Sequence, residues 1–114
     1  MRKFLSVLIV VLFASNAWAA ELTEPQKINA LLNAFTTSDI IFIRNGEEHS
    51  GKYAYDHFEA KLKEVQGVVT AEDFITKVAS TSRETGSPYM IKLSDGTTMD
   101  SSVWLHEKLK EIEK

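Results

Sequence analysis

The stretch that decides the fold is Ile40-Ile41-Phe42-Ile43-Arg44-Asn45-Gly46-Glu47-Glu48-His49-Ser50. Asn45-Gly46 favours a two-residue type I′ turn, because both central positions of that turn need a positive φ. The β-branched and aromatic residues at 40–44 favour a strand before the turn. Residues 47–49 suffice for a short return strand, so the stretch predicts a β-hairpin.

Helix signals lie on both sides of this hairpin. Thr23 and Gln26 have capping-box spacing, and Pro25 falls in the first turn, where a missing N–H does no harm. The first helix, ending at residues 36–39, carries one apolar stripe at helical spacing: Ile28, Leu31, Leu32 and Phe35. Ser50 is placed to cap a second helix, whose apolar face is Tyr55, Phe58, Leu62 and Val65.

The second half of the chain repeats this order of elements. Thr70 begins a helix that carries further apolar residues, and a strand is predicted at 89–93. Asp95-Gly96 is a second turn signal, followed by a return strand at 97–99. Asp100 then caps a last helix, in which Trp104 is expected in the core or as an anchor at the edge of the sheet.

A shift of fifty residues superposes Asn45-Gly46 on Asp95-Gly96, and Ser50 on Asp100. The sequence therefore predicts an α+β fold: a single small domain of four helices with a small antiparallel sheet from two β-hairpins. A helix–hairpin–helix pseudo-repeat explains the superposition. The alternative is that caps and turns, which are common, align by chance.

The alternation of side chains along strands predicts two faces for this sheet. A two-residue second turn would place Leu93 opposite Thr98 and Lys92 opposite Met99. The face expected to be buried contains Ile41, Ile43, Ile91 and Leu93. The opposite face, expected to be covered by helices or to form a binding patch, contains Ile40, Phe42, His49, Met90 and Met99.

The N-terminus has the features of a secretion signal. Arg2 and Lys3 precede an apolar run at 4–13, and Ala17-Trp18-Ala19 is a small–x–small cleavage sequence. About ten apolar residues are too few for a membrane span, which needs roughly twenty. We expect residues 1–19 to be removed, leaving a domain at 20–114 that is periplasmic, or secreted into the medium, without membrane insertion.

The charges restrict the classes of partner. Arg2 and Lys3 are the charged residues of the leader, so eleven basic and sixteen acidic residues follow it, a net charge of −5. These charges are interspersed, which makes nucleic acid and anionic lipid surfaces poor partners. The chain has no cysteine, so neither a disulfide nor a lipid on an N-terminal cysteine is expected. We expect no cofactor.

The densest polar cluster surrounds the first turn: Arg44, Asn45, Glu48, His49, Tyr53 and His57. Tyr53 and His57 are four residues apart and project from one helix face, towards which the hairpin can fold His49. Arg44 is expected to form a cross-strand ion pair with Glu47, and Glu48 to favour the following helix N-terminus.

Two imidazoles beside carboxylates are typical of transition-metal sites or acid–base catalysis. This interpretation rests on Glu48, His49 and His57. The chain lacks His-Glu-x-x-His, and the spacing of His49 and His57 is not a recognised ligand spacing. Solvated or hydrogen-bonded histidines are the simpler interpretation, and no residue is assigned as catalytic or as a metal ligand.

Residues 80–88 form a longer connection than the corresponding residues 36–39. Its hydroxyls, including Ser82, and its single arginine, Arg83, suit an anion such as a phosphate or a carboxylated sugar. The segment lacks the Gly-x-x-x-x-Gly-Lys pattern of a phosphate-binding loop. A plain solvated loop is the alternative.

Several segments together resemble a family of small exported bacterial proteins known only as a domain of unknown function. They are residues 41–50, His57, Lys61-Leu62, residues 70–75, residues 85–89 and Trp104-Leu105. The resemblance covers nearly all of residues 20–114. It implies an exported, periplasmic, single α+β domain, and it implies no activity.

These observations favour a non-enzymatic binding or accessory module of the cell envelope. Its partner would be an envelope protein or a cell-wall component. The surface that contacts this partner would be formed by the Asn45-Gly46 turn, the start of the second helix and residues 80–88. An inhibitor or immunity protein is a special case, favoured by the negative charge. The alternative is a small enzyme or metal-dependent protein that uses Glu48, His49 and His57.

Overall fold

The computed structural model describes residues 21–114, so the predicted leader lies outside the described residues. Helices and β-hairpins follow one another in the predicted order, which confirms the α+β class. The elements are α1 (Glu24–Thr37), β1 (Ile40–Arg44), β2 (Glu47–His49), α2 (Gly51–Leu62), α3 (Ala71–Asp73, continued by a π-helical turn, Phe74–Val78), β3 (Met90–Leu93), β4 (Thr98–Asp100) and α4 (Ser101–Glu113).

The predicted caps are confirmed at three helices. Thr23 and Gln26 form a reciprocal capping box, in which the Gln26 N–H donates to Thr23 Oγ1 over 3.3 Å. Ser50 Oγ accepts from the backbone N–H of Tyr53 at α2, and Thr70 forms a second capping box at α3. These side chains satisfy backbone donors that the first helical turns leave free.

The sheet has the strand order β2-β1-β3-β4, and β1 pairs with β3 in antiparallel fashion at its centre. Asn45 and Gly46 have φ values of 51° and 81°, as a type I′ turn requires. The predicted register of the first hairpin is confirmed, with Arg44 opposite Glu47. Each half of the chain therefore contributes one hairpin, and the element order repeats as predicted.

The predicted register of the second hairpin is wrong by one residue. Lys92 lies opposite Thr98, and Met99 lies opposite Ile91. The connection is one residue longer than a two-residue turn, because the Leu93 N–H donates to the carbonyl of Thr97 over 2.8 Å. Three residues, 94–96, therefore lie between the hydrogen-bonded residues Leu93 and Thr97.

The predicted sheet faces are also wrong. The register of β1 and β3 places Phe42 opposite Ile91, and neither side chain is exposed. Ile43 instead lies opposite Met90 on the other face, where both are partly exposed. The two turns do not determine how strands fifty residues apart align. The set of residues expected on the buried face therefore combines residues from both faces of the sheet. Phe42, expected on the opposite face, belongs to the core.

An aromatic cluster forms the centre of the core. The ring of Phe35 packs against those of Phe42, Phe58 and Trp104, with centroid distances of 6.1, 5.3 and 5.2 Å. Trp104 is only 4% exposed, which confirms its predicted place in the core. Such aromatic contacts add about 0.5–1.5 kcal/mol per pair beyond the burial of apolar area.

The third predicted helix is only partly α-helical. After Asp73 the chain widens into a π-helical turn, in which the Ala79 N–H donates to the Phe74 carbonyl over 3.0 Å. This turn brings three predicted apolar residues into the core with no exposed surface: Phe74, Ile75 and Val78. Within residues 21–114, no helix has the length and apolarity needed to cross a membrane.

Candidate functional site

The first turn and the loop at residues 80–88 are in direct contact. Thr85 Oγ1 donates to Asn45 Oδ1 over 2.6 Å, and Asn45 Nδ2 donates to Ser82 Oγ over 3.4 Å. The loop is closed on itself, since the Gly86 N–H donates to the carbonyl of Ser82 over 2.8 Å. We call this surface, formed by the Asn45-Gly46 turn and residues 80–88, the turn–loop face.

Ser82 anchors the loop. It is only 1% exposed, and its Oγ also accepts from the backbone N–H of Glu84 over 3.3 Å. Residues 83–88 are exposed, so the loop is solvated over most of its length, while internal hydrogen bonds and the contacts with Asn45 order it around Ser82.

Arg44 binds across the site and does not pair with Glu47, so the predicted cross-strand ion pair is wrong. Its Nη1 donates to Tyr53 Oη and its Nη2 to Glu84 Oε1, each over 3.0 Å. The hydrogen bond with Tyr53 is the main cause that raises the pKa of the Arg44 guanidinium. Arg44 Nε is buried and has no hydrogen-bond partner among the described residues. Arg44 thus joins the sheet to both α2 and the turn–loop face.

The two predicted histidines lie on either side of Tyr53, as the sequence indicates. The rings of His49 and Tyr53 stack at a centroid distance of 3.7 Å, and those of Tyr53 and His57 are parallel at 6.1 Å. Glu48 lies on the other face of the sheet and forms an ion pair with Lys92 over 3.1 Å.

The residues of the predicted metal or acid–base site therefore do not converge, because Glu48 faces away from both histidines. The expected role of Glu48 at the N-terminus of α2 stays a prediction. Among residues 21–114, no group of three histidine, aspartate or glutamate side chains is arranged to hold a metal ion.

Lys61 is a functional candidate that the sequence analysis missed. It is only 5% exposed, and its Nζ donates to the carbonyl of Thr81 over 3.0 Å and to Tyr89 Oη over 3.2 Å. The ammonium also lies 5.0 Å from the centroid of the Tyr89 ring, within the range of a cation–π contact. Burial, with smaller effects from Arg83 and Arg44, lowers the pKa of Lys61 to about 8.

A hydrogen-bonded chain continues from Lys61 to His57 through Tyr89. Lys61 can only donate, so Tyr89 Oη accepts from it and directs its own proton towards His57 Nε2, 3.1 Å away. Burial lowers the pKa of His57 and raises the pKa of Tyr89. At neutral pH both side chains are therefore uncharged.

These side chains line a cleft of about 210 Å³ beside the turn–loop face. We call it the Lys61 cleft; its walls include Arg44, His57, Lys61, Arg83, Glu84 and Tyr89. Arg83 Nη2 contacts Glu64 Oε1, another lining residue, over 2.6 Å. The side chains of Glu64 and Glu84 are 63% and 70% exposed, so they lie at the rim.

Within residues 21–114, no carboxylate forms a salt bridge with Lys61. The cleft lining thus contains two carboxylates and three side chains that are positively charged at neutral pH: Arg44, Lys61 and Arg83. With His57 neutral, the net charge of its lining is +1. The cleft can accept an anion, although the chain as a whole is acidic.

Comparison with known proteins assigns the chain to a family. Residues 22–113 match the family described as a family of unknown function (DUF5329). The chain belongs to DUF5329. It is 40% identical over 92 residues to the uncharacterized protein YfeK of Salmonella typhimurium (strain LT2), and the match covers 78% of this chain and 77% of that protein. No solved structure matches it.

Membership of DUF5329 confirms the resemblance to a domain of unknown function. The turn–loop face and the Lys61 cleft both lie inside the matched residues 22–113. The candidate site is therefore made entirely from the DUF5329 domain. The family description names no activity, and the chemistry of the site follows from its own side chains.

Proposed function

We propose that this chain is a non-enzymatic binding module of the cell envelope. Its turn–loop face would contact an envelope protein or a cell-wall component. The leader-like features of residues 1–19 support export, with the periplasm as the proposed location and the medium as the alternative. An inhibitor or immunity protein is a special case that fits the net charge of −5 after the leader.

The observation that carries this proposal is that hydrogen bonds connect the two parts of the turn–loop face, the Asn45-Gly46 turn and residues 80–88. Thr85 and Ser82 connect the loop to the side chain of Asn45. A surface ordered in advance loses less conformational entropy on association, so more of its contact energy appears as affinity.

Exposed charge on this face supports recognition of a charged partner. The side chain of Arg83 is 58% exposed and that of Glu84 is 70% exposed, and both project from the loop that Asn45 holds. Charges at the rim of an interface mainly set orientation and association rate. The turn–loop face can therefore select a partner of matching charge pattern.

A cross-linked pull-down from envelope extract tests the proposal, with residues 20–114 as bait. The informative variant is Arg83→Ala, since Arg83 is exposed and its loss leaves the core unchanged. Lys110→Ala is the matched control: it removes the same charge from an exposed position on α4. We expect one component to be enriched by the native chain and by Lys110→Ala, and to be reduced with Arg83→Ala. Equal recovery with all three baits would contradict the proposal.

The enzymatic alternative keeps one supporting observation, the hydrogen bond between His57 and Tyr89. A metal-dependent form would require His57 as a ligand, and zinc would then raise the melting temperature because it binds only the folded state. Melting curves with zinc and with chelator, on the native chain and on His57→Ala, test this form. A zinc-dependent rise that His57→Ala abolishes would favour the metal-dependent protein over the binding module.

A further inference from the structure

The ammonium of Lys61 is a buried positive charge without a salt bridge to any carboxylate among residues 21–114. A buried charge is costly unless other groups compensate it. The carbonyl of Thr81 and the hydroxyl of Tyr89 receive two of its three N–H groups. The third donor remains, and Lys61 lines the open cleft.

The other charged side chains of the cleft lining balance one another. Arg44 and Arg83 line the same cleft, and their carboxylate partners, Glu84 and Glu64, lie at the exposed rim. The lining therefore has one unbalanced positive charge, and it is located at the least exposed of the three cations, Lys61. Electrostatic attraction is strongest where water is excluded.

We propose that the Lys61 cleft binds a single carboxylate group, with Lys61 as its principal donor and Arg83 as a second donor. A monoanion balances the net charge of +1, whereas a phosphate dianion would leave excess negative charge next to Glu64 and Glu84. A volume of about 210 Å³ suits one small group carried by a larger ligand. This inference deepens the proposed function. It rests on that function in one respect only, namely that the carboxylate belongs to the envelope partner.

Binding of small carboxylates to the full chain tests this inference directly. The probes are acetate, glucuronate and a glutamate residue acetylated and amidated at its ends, with inorganic phosphate for comparison. Binding is followed through the backbone amide NMR signals of Lys61, Glu84 and Tyr89. We expect saturable shifts with a dissociation constant on the order of 1–10 mM for a single carboxylate.

Two variants and one control locate the site. Lys61→Met keeps the length of the side chain, and we expect it to weaken carboxylate binding by at least about tenfold. Arg83→Ala changes an exposed residue, so it remains informative if Lys61→Met fails to fold; it is expected to weaken binding about threefold to tenfold. Lys110→Met removes a distant exposed charge and should leave the affinity unchanged.

Each outcome decides the proposal. Tighter binding of glucuronate supports a sugar carboxylate, and tighter binding of the blocked glutamate supports a protein carboxylate. The proposal is overturned if no carboxylate saturates these signals, if phosphate binds more tightly than every carboxylate, or if neither variant weakens binding.

The pull-down separates the two proposals. Saturable carboxylate binding without a partner would remove the proposed function and keep the carboxylate site. Capture of a partner without carboxylate binding would do the reverse.

Discussion

Gly51 allows α1 and α2 to approach more closely than any other residue at that position would. It is the first residue of α2, and a Cβ added there would lie 1.9 Å from the backbone oxygen of Phe35 in α1. Replacing glycine by alanine in a helix usually stabilises it by about 1 kcal/mol. At this position we expect the opposite sign, because the atom in the way belongs to the backbone and cannot rotate aside.

The size of the effect follows from this distance. Real Cβ contacts are essentially never shorter than 3.0 Å, so Gly51→Ala must separate the two backbones by at least about 1.1 Å. The separation would disturb the contact between Phe35 and Phe58, whose ring centroids are 5.3 Å apart. Overpacking of this kind costs about 1–3 kcal/mol, and we expect the upper end. For a domain of this size, about 3 kcal/mol lowers the melting temperature by roughly 12–24 °C.

Urea unfolding of Gly51→Ala, followed by circular dichroism, measures this cost. Gly46→Ala is the control: nothing lies within 4 Å of its added Cβ, so its cost comes only from the positive φ of 81° and should be about 1–2 kcal/mol. A Gly51→Ala protein as stable as the native chain, or more stable, would refute the close approach of the two helices.

Three further predictions concern pH and the core. Burial lowers the pKa of Lys61 from 10.5 to about 8, so between these pH values the unfolded chain binds more protons than the folded chain. The free energy of unfolding should therefore rise with pH in this range by up to about 3 kcal/mol. Urea unfolding at pH 7 and pH 10 should show this rise in the native chain and not in Lys61→Met. Hydrogen bonds from the Ala71 N–H and then from Lys27 lower the pKa of Glu24, so Glu24→Gln should reduce the melting temperature at pH 7. The difference in melting temperature between the native chain and Glu24→Gln should disappear as acid protonates the Glu24 carboxylate. A difference that persists in acid would contradict this. Phe35→Ala should cost about 3–5 kcal/mol in urea unfolding, whereas Val103→Ala, at a side chain that is 47% exposed, should stay within about 0.5 kcal/mol.

Local signals predicted the elements well, because their causes are local. Asn45-Gly46 specifies a type I′ turn through its φ requirements, and the first hairpin has the predicted register. Capping at Thr23 and Ser50 depends on contacts within three residues. The predicted register of the second hairpin was wrong because Asp95-Gly96 is compatible with both a two-residue and a three-residue connection. The sequence alone does not distinguish these two connections.

Long-range register could not be predicted in the same way. Phe42 enters the core because it pairs with Ile91, and no local pattern determines that alignment. Ile41 and Ile43 are as apolar as their neighbours, so composition alone did not identify the buried side. A change of one residue in register exchanges the two faces, which explains why the prediction mixed them.

The candidate site was predicted at its surface and missed at its centre. Asn45, Tyr53 and His57 attract attention as polar residues around a turn, and the structure brings all three to one region. Lys61 resembles an ordinary solvated lysine. It follows Phe58 by three residues on the buried side of α2, and this position within an apolar stripe was the available signal.

The shortness of β2 and β4 restricts how this protein can meet other chains. Both are edge strands of three residues, and they carry acidic side chains at Glu47, Glu48 and Asp100. Short, charged edges are poor templates for an added strand, which protects the sheet from edge-to-edge self-association. They also disfavour recognition by strand addition, in which main-chain hydrogen bonds supply the affinity and side chains only refine it. If the chain is the proposed binding module, its specificity would then come from side-chain chemistry rather than from main-chain pairing.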